Sequence, residues 1–173
     1  MGSGTGDDEV EWLETGQQQA WRAFIMGSEL LLHQLDRELR AEHQLSFSEY
    51  EILVRLSEAE DGRMRMALLA DSMSHSRSRV THTIARMERA GLVERHASQS
   101  DGRGVVAVMT PQGRDLLVQA APTHVRGVRQ HLVDLASPED FAALGRIFDE
   151  VSDRLLRDLP AGADIRDEAQ RPG

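Results

Sequence analysis

The chain is 173 residues long, 40% hydrophobic and 28% charged, the balance of an ordinary globular domain with room for one substantial core. It has no cysteine, which excludes disulfides and thiolate chemistry, and no apolar run long enough for a membrane span. Its net charge of −9 argues at first against a nucleic-acid partner.

Residues 1–16 are rich in glycine and acids and are predicted to be disordered. The start is acidic rather than basic and apolar, so no signal peptide is visible and a cytoplasmic protein is expected. From Gln17 to His43, Ala20, Phe24, Leu31, Leu35 and Leu39 keep helical spacing, which predicts a long first helix. Ser48-Glu49-Tyr50-Glu51 has a capping-box pattern and predicts a second helix from Ser48 to about Ala59 that buries Ile52, Leu53 and Leu56. After a turn at Asp61-Gly62, a third helix is expected from Met66 to Met73, with Leu69, Ala70 and Met73 inward.

The stretch from Ser76 to Arg103 organises the rest. At helical period Val80, Ile84 and Met87 share one side, flanked by Thr83. The opposite side carries Ser78, Arg79, His82, Ala85, Arg86 and Arg89. A helix exposed only to water more often mixes acids with bases. Here the first acid met is Glu88, and Gly91 ends the helix. The period then falls to about two. Leu92–His96 and Val105–Met109 are predicted as a two-stranded ribbon, joined by a polar, glycine-rich loop. An arginine-bearing helix followed by a thin ribbon is a winged helix-turn-helix pattern: the helix fits a DNA major groove and the ribbon tip reaches the minor groove beside it.

Thr110-Pro111 starts the next helix, running toward Val133, with Pro122 expected to kink or interrupt it. Ser137-Pro138 repeats the device before a last helix striped with Phe141, Leu144, Ile147, Phe148, Val151, Leu155 and Leu156. Residues 159–173 are expected to be a disordered tail. The fold class is thus mainly α with a small β-wing: a winged helix-turn-helix DNA-binding lobe at 46–109, with N- and C-terminal dimerisation helices at 17–45 and 110–158. These terminal helices carry more apolar surface than one small lobe can cover, which predicts a homodimer and hence a palindromic operator on double-stranded DNA.

The charge distribution answers the objection from net charge. Between Gly62 and Arg103 eight arginines face Asp71, Glu88, Glu94 and Asp101, a local excess of four positive charges on an acidic body. Ser76, Arg77, Ser78, Arg79, Thr81, His82 and Arg86 are the candidate DNA-contacting residues of the helix, and Arg103 that of the wing tip. Arg95 is assigned to bracing the wing against Asp101.

Residues 76–95 resemble the recognition-helix signature of the MarR family of winged-helix transcriptional regulators, where Ser-basic-Ser/Thr-x-Val-Thr leads to Gly-Leu-Val-x-Arg. The resemblance continues through Asp101-Gly102-Arg103 at the wing and Met109-Thr110-Pro111-Gln112-Gly113, and spans roughly residues 17–158. The usual wing has Asp-Arg-Arg, so Gly102 is a departure, as is His75 where the family has an aliphatic residue. The resemblance implies a cytoplasmic, dimeric repressor that a small-molecule ligand releases from DNA. The lack of cysteine removes the family's peroxide-sensing branch. Trp21 and Arg22 are candidate contacts for an aromatic or anionic effector. The urate-responsive branch also has a tryptophan in its first helix, but its partner Arg-Asp pair has no clear counterpart here.

His33 and His43, like His124 and His131, lack the tight spacing of a zinc helix, and neither a metal nor another cofactor is assigned. No nucleophile elbow, phosphate-binding glycine loop or paired-carboxylate signature points to an enzyme. The alternatives kept open are a zinc-responsive regulator of the same fold and an architectural protein with low sequence specificity.

Overall fold

The computed structural model describes residues 10–73, 76–98 and 104–157. Among these residues six α-helices and three short strands follow in order: α1 Thr15–His43, α2 Phe47–Glu58, β1 Arg63–Arg65, α3 Met66–Ser72, α4 Arg77–Arg89, β2 Val93–Ala97, β3 Val105–Met109, α5 Pro111–His131 and α6 Pro138–Arg157. The strands form one antiparallel sheet in the order β1-β3-β2. The mainly α fold with a small β-wing is therefore present, with one strand more than the ribbon predicted.

The extra strand corrects the sequence reading. Arg63, Met64 and Arg65 pair with Val108, Ala107 and Val106. This places α3 against the sheet from its first residue. The α2 cap is a second correction. Ser46, not Ser48, accepts the Glu49 N–H at 3.3 Å, and the Glu49 carboxylate accepts the Ser46 N–H at 2.8 Å. The next N–H, that of Phe47, donates to Asp36 of α1 at 2.9 Å, so the start of α2 is fixed by the helix before it. Helix α1 begins at Thr15, two residues before the expected start, where the Glu14 N–H donates to the Gln17 side chain.

Pro122 does not interrupt α5, which runs unbroken to His131. Proline removes one backbone donor, leaving the carbonyl four residues earlier without its helical partner. That residue is Val118, which is exposed, as is Pro122 itself, so water can serve the carbonyl.

One core joins the lobe. Leu39, Leu45, Ile52, Leu53 and Leu56 meet Leu69, Val80, Ile84, Met87 and Val93, all nearly inaccessible. Helix α5 approaches from both ends. At Gly113 a Cβ would lie 2.2 Å from the Leu92 carbonyl oxygen, and at Gly127 one would lie 2.7 Å from Leu35 Cδ2. Helix α4 stops just before Gly91, whose φ of +74° suits glycine. There Thr110 donates to the Gly91 carbonyl at 2.7 Å and accepts from the Gly113 N–H at 3.0 Å. One threonine thereby fastens the end of α4 to the start of α5.

Candidate nucleic-acid interface

Helix α4 divides as its sequence requires. Val80, Thr83, Ile84 and Met87 are buried, while Ser76, Arg77, Ser78, Arg79, Thr81, His82, Arg86 and Arg89 are exposed. Ser76 caps the helix by accepting the Arg79 N–H at 3.3 Å. The outward face has no acid in its first turn, so its dipole and arginines favour an anion together. Arg77 and Arg79 carry no ion pair among the described residues. The Thr81 hydroxyl donates to the Arg77 carbonyl at 2.7 Å, leaving only its lone pairs to offer outward.

Arg86 is held differently. Its Nε donates to Glu49 Oε1 at 2.7 Å, across 37 residues of sequence. Glu49 Oε2 accepts both the Ser46 N–H and the Ser46 hydroxyl, the latter at 2.6 Å. Burial alone pushes the Glu49 carboxyl up; the bonds from Ser46 and Arg86 outweigh it and hold the group below the ordinary carboxylate value. On the same helix, burial raises the Glu51 carboxyl against the opposing pull of Arg55 and Arg79.

The wing residue Arg95 has a partner the sequence did not signal. Arg95 closes on Glu88 at the end of α4; its expected partner Asp101 lies outside the described residues together with Arg103. The hydrogen bonds joining Ser46, Glu49 and Arg86 are not among the sequence expectations. A second capping-box pattern, Ser46 with Glu49, was visible in the sequence, but nothing local signals that Glu49 also reaches Arg86.

The candidate effector residues lie elsewhere. Trp21 is 54% exposed on α1, 5.8 Å from the Phe24 ring, which in turn lies 5.1 Å from Phe148 of α6. Arg22 is exposed beside it. The histidines go to separate partners: His43 meets Thr123 at 2.9 Å, His131 meets Glu38 at 2.7 Å, and His124 stacks between Tyr50 and Phe47. Among the described residues no group of three or more His, Asp or Glu could hold a metal ion.

The fold has close structural counterparts. The MarR family model matches residues 43–104. The crystal structure of AbsC, a MarR family transcriptional regulator from Streptomyces coelicolor, is 42% identical with a TM-score of 0.80, over 86% of this chain and 100% of that one. The chain belongs to the MarR family of transcriptional regulators. A second MarR regulator from Streptomyces coelicolor, Sco3205, solved in complex with DNA, is 38% identical with a TM-score of 0.83, over 92% of this chain and 98% of that one. The organohalide-sensing RdhR-CbdbA1625, solved in its 2,4-dichlorophenol-bound form, shares the fold at 19% identity and a TM-score of 0.73, covering 92% of each chain. Among curated protein sequences no match is found. As a MarR regulator the chain is a winged-helix DNA-binding protein, and none of its described helices is long and apolar enough to cross a membrane.

Proposed function

We propose that this MarR regulator is a homodimeric repressor that binds a palindromic operator and leaves it when a small-molecule effector binds. The observation that carries the dimer is α6. This helix of 20 residues presents Phe141, Ile147, Phe148, Val151 and Leu155 at helical spacing and buries no residue within its own chain. The exposed Trp21, Phe24 and Ile25 of α1 continue that surface. An apolar face of this extent is stable in water only when covered, and a second copy offers the same face in return. On this reading residues 46–109 form the DNA-binding lobe, and 17–45 with 110–158 the dimerisation helices.

Two α4 helices related by a two-fold axis read two half-sites. Arg77, Arg79, Ser76, Ser78, Thr81 and His82 supply the contacts, and Arg103 reaches the adjacent minor groove from the wing. The relative crystallised with DNA supports DNA binding by this fold, and the exposure of these α4 residues supports their choice as contacts. The effector reading draws on the phenol-bound organohalide sensor of the same fold, with Trp21 and Arg22 as candidate contacts. An effector releases DNA by favouring a conformation whose half-site spacing no longer matches.

The test is fluorescence anisotropy on the duplex recovered by the purified protein from its own upstream region, against a scrambled duplex, at two salt concentrations. A preference above about a thousandfold for the recovered duplex is expected of an operator-binding protein. Equal, salt-sensitive binding to both would replace this reading with an architectural one.

A further inference from the structure

We propose that Glu49 is a positioning residue for DNA binding, holding the Arg86 guanidinium so that its free edge meets a backbone phosphate at the wall of the major groove. The inference rests on the DNA-binding reading of α4 and extends it to a residue on another helix.

The two partners sit in opposite surroundings. The Glu49 side chain is 10% exposed and that of Arg86 is 53% exposed. The carboxylate cannot turn, because Oε1 accepts from Arg86 while Oε2 is occupied by the Ser46 N–H and hydroxyl. A guanidinium has two edges able to grip an oxyanion, one formed by Nε with a terminal nitrogen and one by both terminal nitrogens. Glu49 takes the Nε side. The terminal nitrogens have no hydrogen-bonded partner among the described residues and belong to an exposed side chain.

Position along the helix selects the target. Base edges are met by the first turns of a recognition helix. Arg86 lies nine residues beyond Arg77, about 14 Å along the axis, past the first turns and near the groove wall. A fork fixed in advance loses little conformational freedom on gripping a phosphate.

A competing account makes the opposite prediction. If Glu49 only adds negative charge near the DNA, removing that charge strengthens binding. If it positions Arg86, Glu49→Gln weakens binding although the protein becomes more positive. The experiment measures affinity for the recovered duplex and its salt dependence in four proteins: wild type, Glu49→Gln, Arg86→Ala and the double variant, each checked for folding by circular dichroism melting.

Glu49→Gln is expected to lose roughly tenfold in affinity, the scale of one charge-assisted hydrogen bond, with the salt slope preserved. Arg86→Ala should weaken binding and lower the salt slope by about one. In the Arg86→Ala background, Glu49→Gln should weaken binding no further, since nothing remains to position. Tighter binding by Glu49→Gln in the wild-type background overturns the proposal. So does equal weakening in both backgrounds, which marks a fold defect, and so does an unchanged salt slope in Arg86→Ala. Failure of the wild-type protein to prefer its recovered duplex would instead sink the operator reading.

Discussion

Arg95 of β2 grips Glu88 of α4 through three contacts. Its Nη2 and Nε donate to Glu88 Oε2 at 2.6 and 2.9 Å, and its backbone N–H to Oε1 at 3.2 Å. The pair ties the end of α4 to the first strand of the wing. Both side chains are about one-third exposed, so the pair contributes little to global stability.

Arg95→Ala should therefore melt near the wild-type temperature while losing DNA affinity, as the wing is no longer tied to α4. Anisotropy titrations beside circular dichroism melts check this. A large drop in melting temperature would mean that the pair holds the lobe together.

Gly113→Ala has no way to be accommodated. The added Cβ would meet the Leu92 carbonyl oxygen at 2.2 Å, and a backbone atom does not swing aside. Separating α5 from the lobe there should cost at least the ~1–3 kcal/mol typical of overpacking. Urea unfolding of the variant gives the value, and wild-type stability would contradict the close approach.

A charge on the unburied face of α6 should break the dimer. Ile147 is 59% exposed within its own chain, so Ile147→Asp leaves the fold of the single chain intact. Sedimentation should show monomers, with operator affinity falling steeply because two half-sites are no longer linked. An Ile147→Asp protein that remains a dimer places the interface elsewhere.

If Arg103 is the minor-groove contact proposed above, removal of its side chain is expected to weaken operator binding with only a modest loss of sequence preference. Anisotropy of Arg103→Ala on the operator and on single-base variants tests it. Unchanged affinity rules the contact out.

His124 should make stability fall on mild acidification. Burial between Tyr50 and Phe47 lowers its pKa below the usual 6.5, and its Nδ1 is buried without a hydrogen bond. The unfolded chain then binds a proton that the folded chain refuses. Stability is complete above 6.5 and is lost as pH falls from there toward the folded value. Glu49 acts in a separate, more acidic window: its carboxyl is held below 4.5, so its contribution disappears only as pH falls through that lowered value. Denaturant unfolding of His124→Phe at several pH values should show the higher window flattened and the lower one retained. An unchanged profile would assign the higher window to another group.

The recognition helix was legible from the sequence because everything that shapes it is local. Val80, Ile84 and Met87 recur at helical period, Ser76 caps the start, and Gly91 supplies the positive φ that ends it. The same holds for Thr110-Pro111 before α5 and for the stripe along α6. A sequence states such features directly because each depends on neighbours within a turn or two.

What only the tertiary structure decided depends on partners far along the chain. Three residues, Arg63 to Arg65, become a strand because β3 offers them backbone groups, not because of their own propensity. Ser46 and Ser48 both fit a capping box; Asp36 of α1 accepts the Phe47 N–H and places the helix start after Ser46. Pro122 stays inside a helix at a point where Val118, the residue whose carbonyl loses its helical donor, is exposed to water. Arg86 looked like another free arginine until folding brought Glu49 to its Nε. Periodicity shows which face of a helix turns outward, but only the folded chain shows which outward side chains are already held.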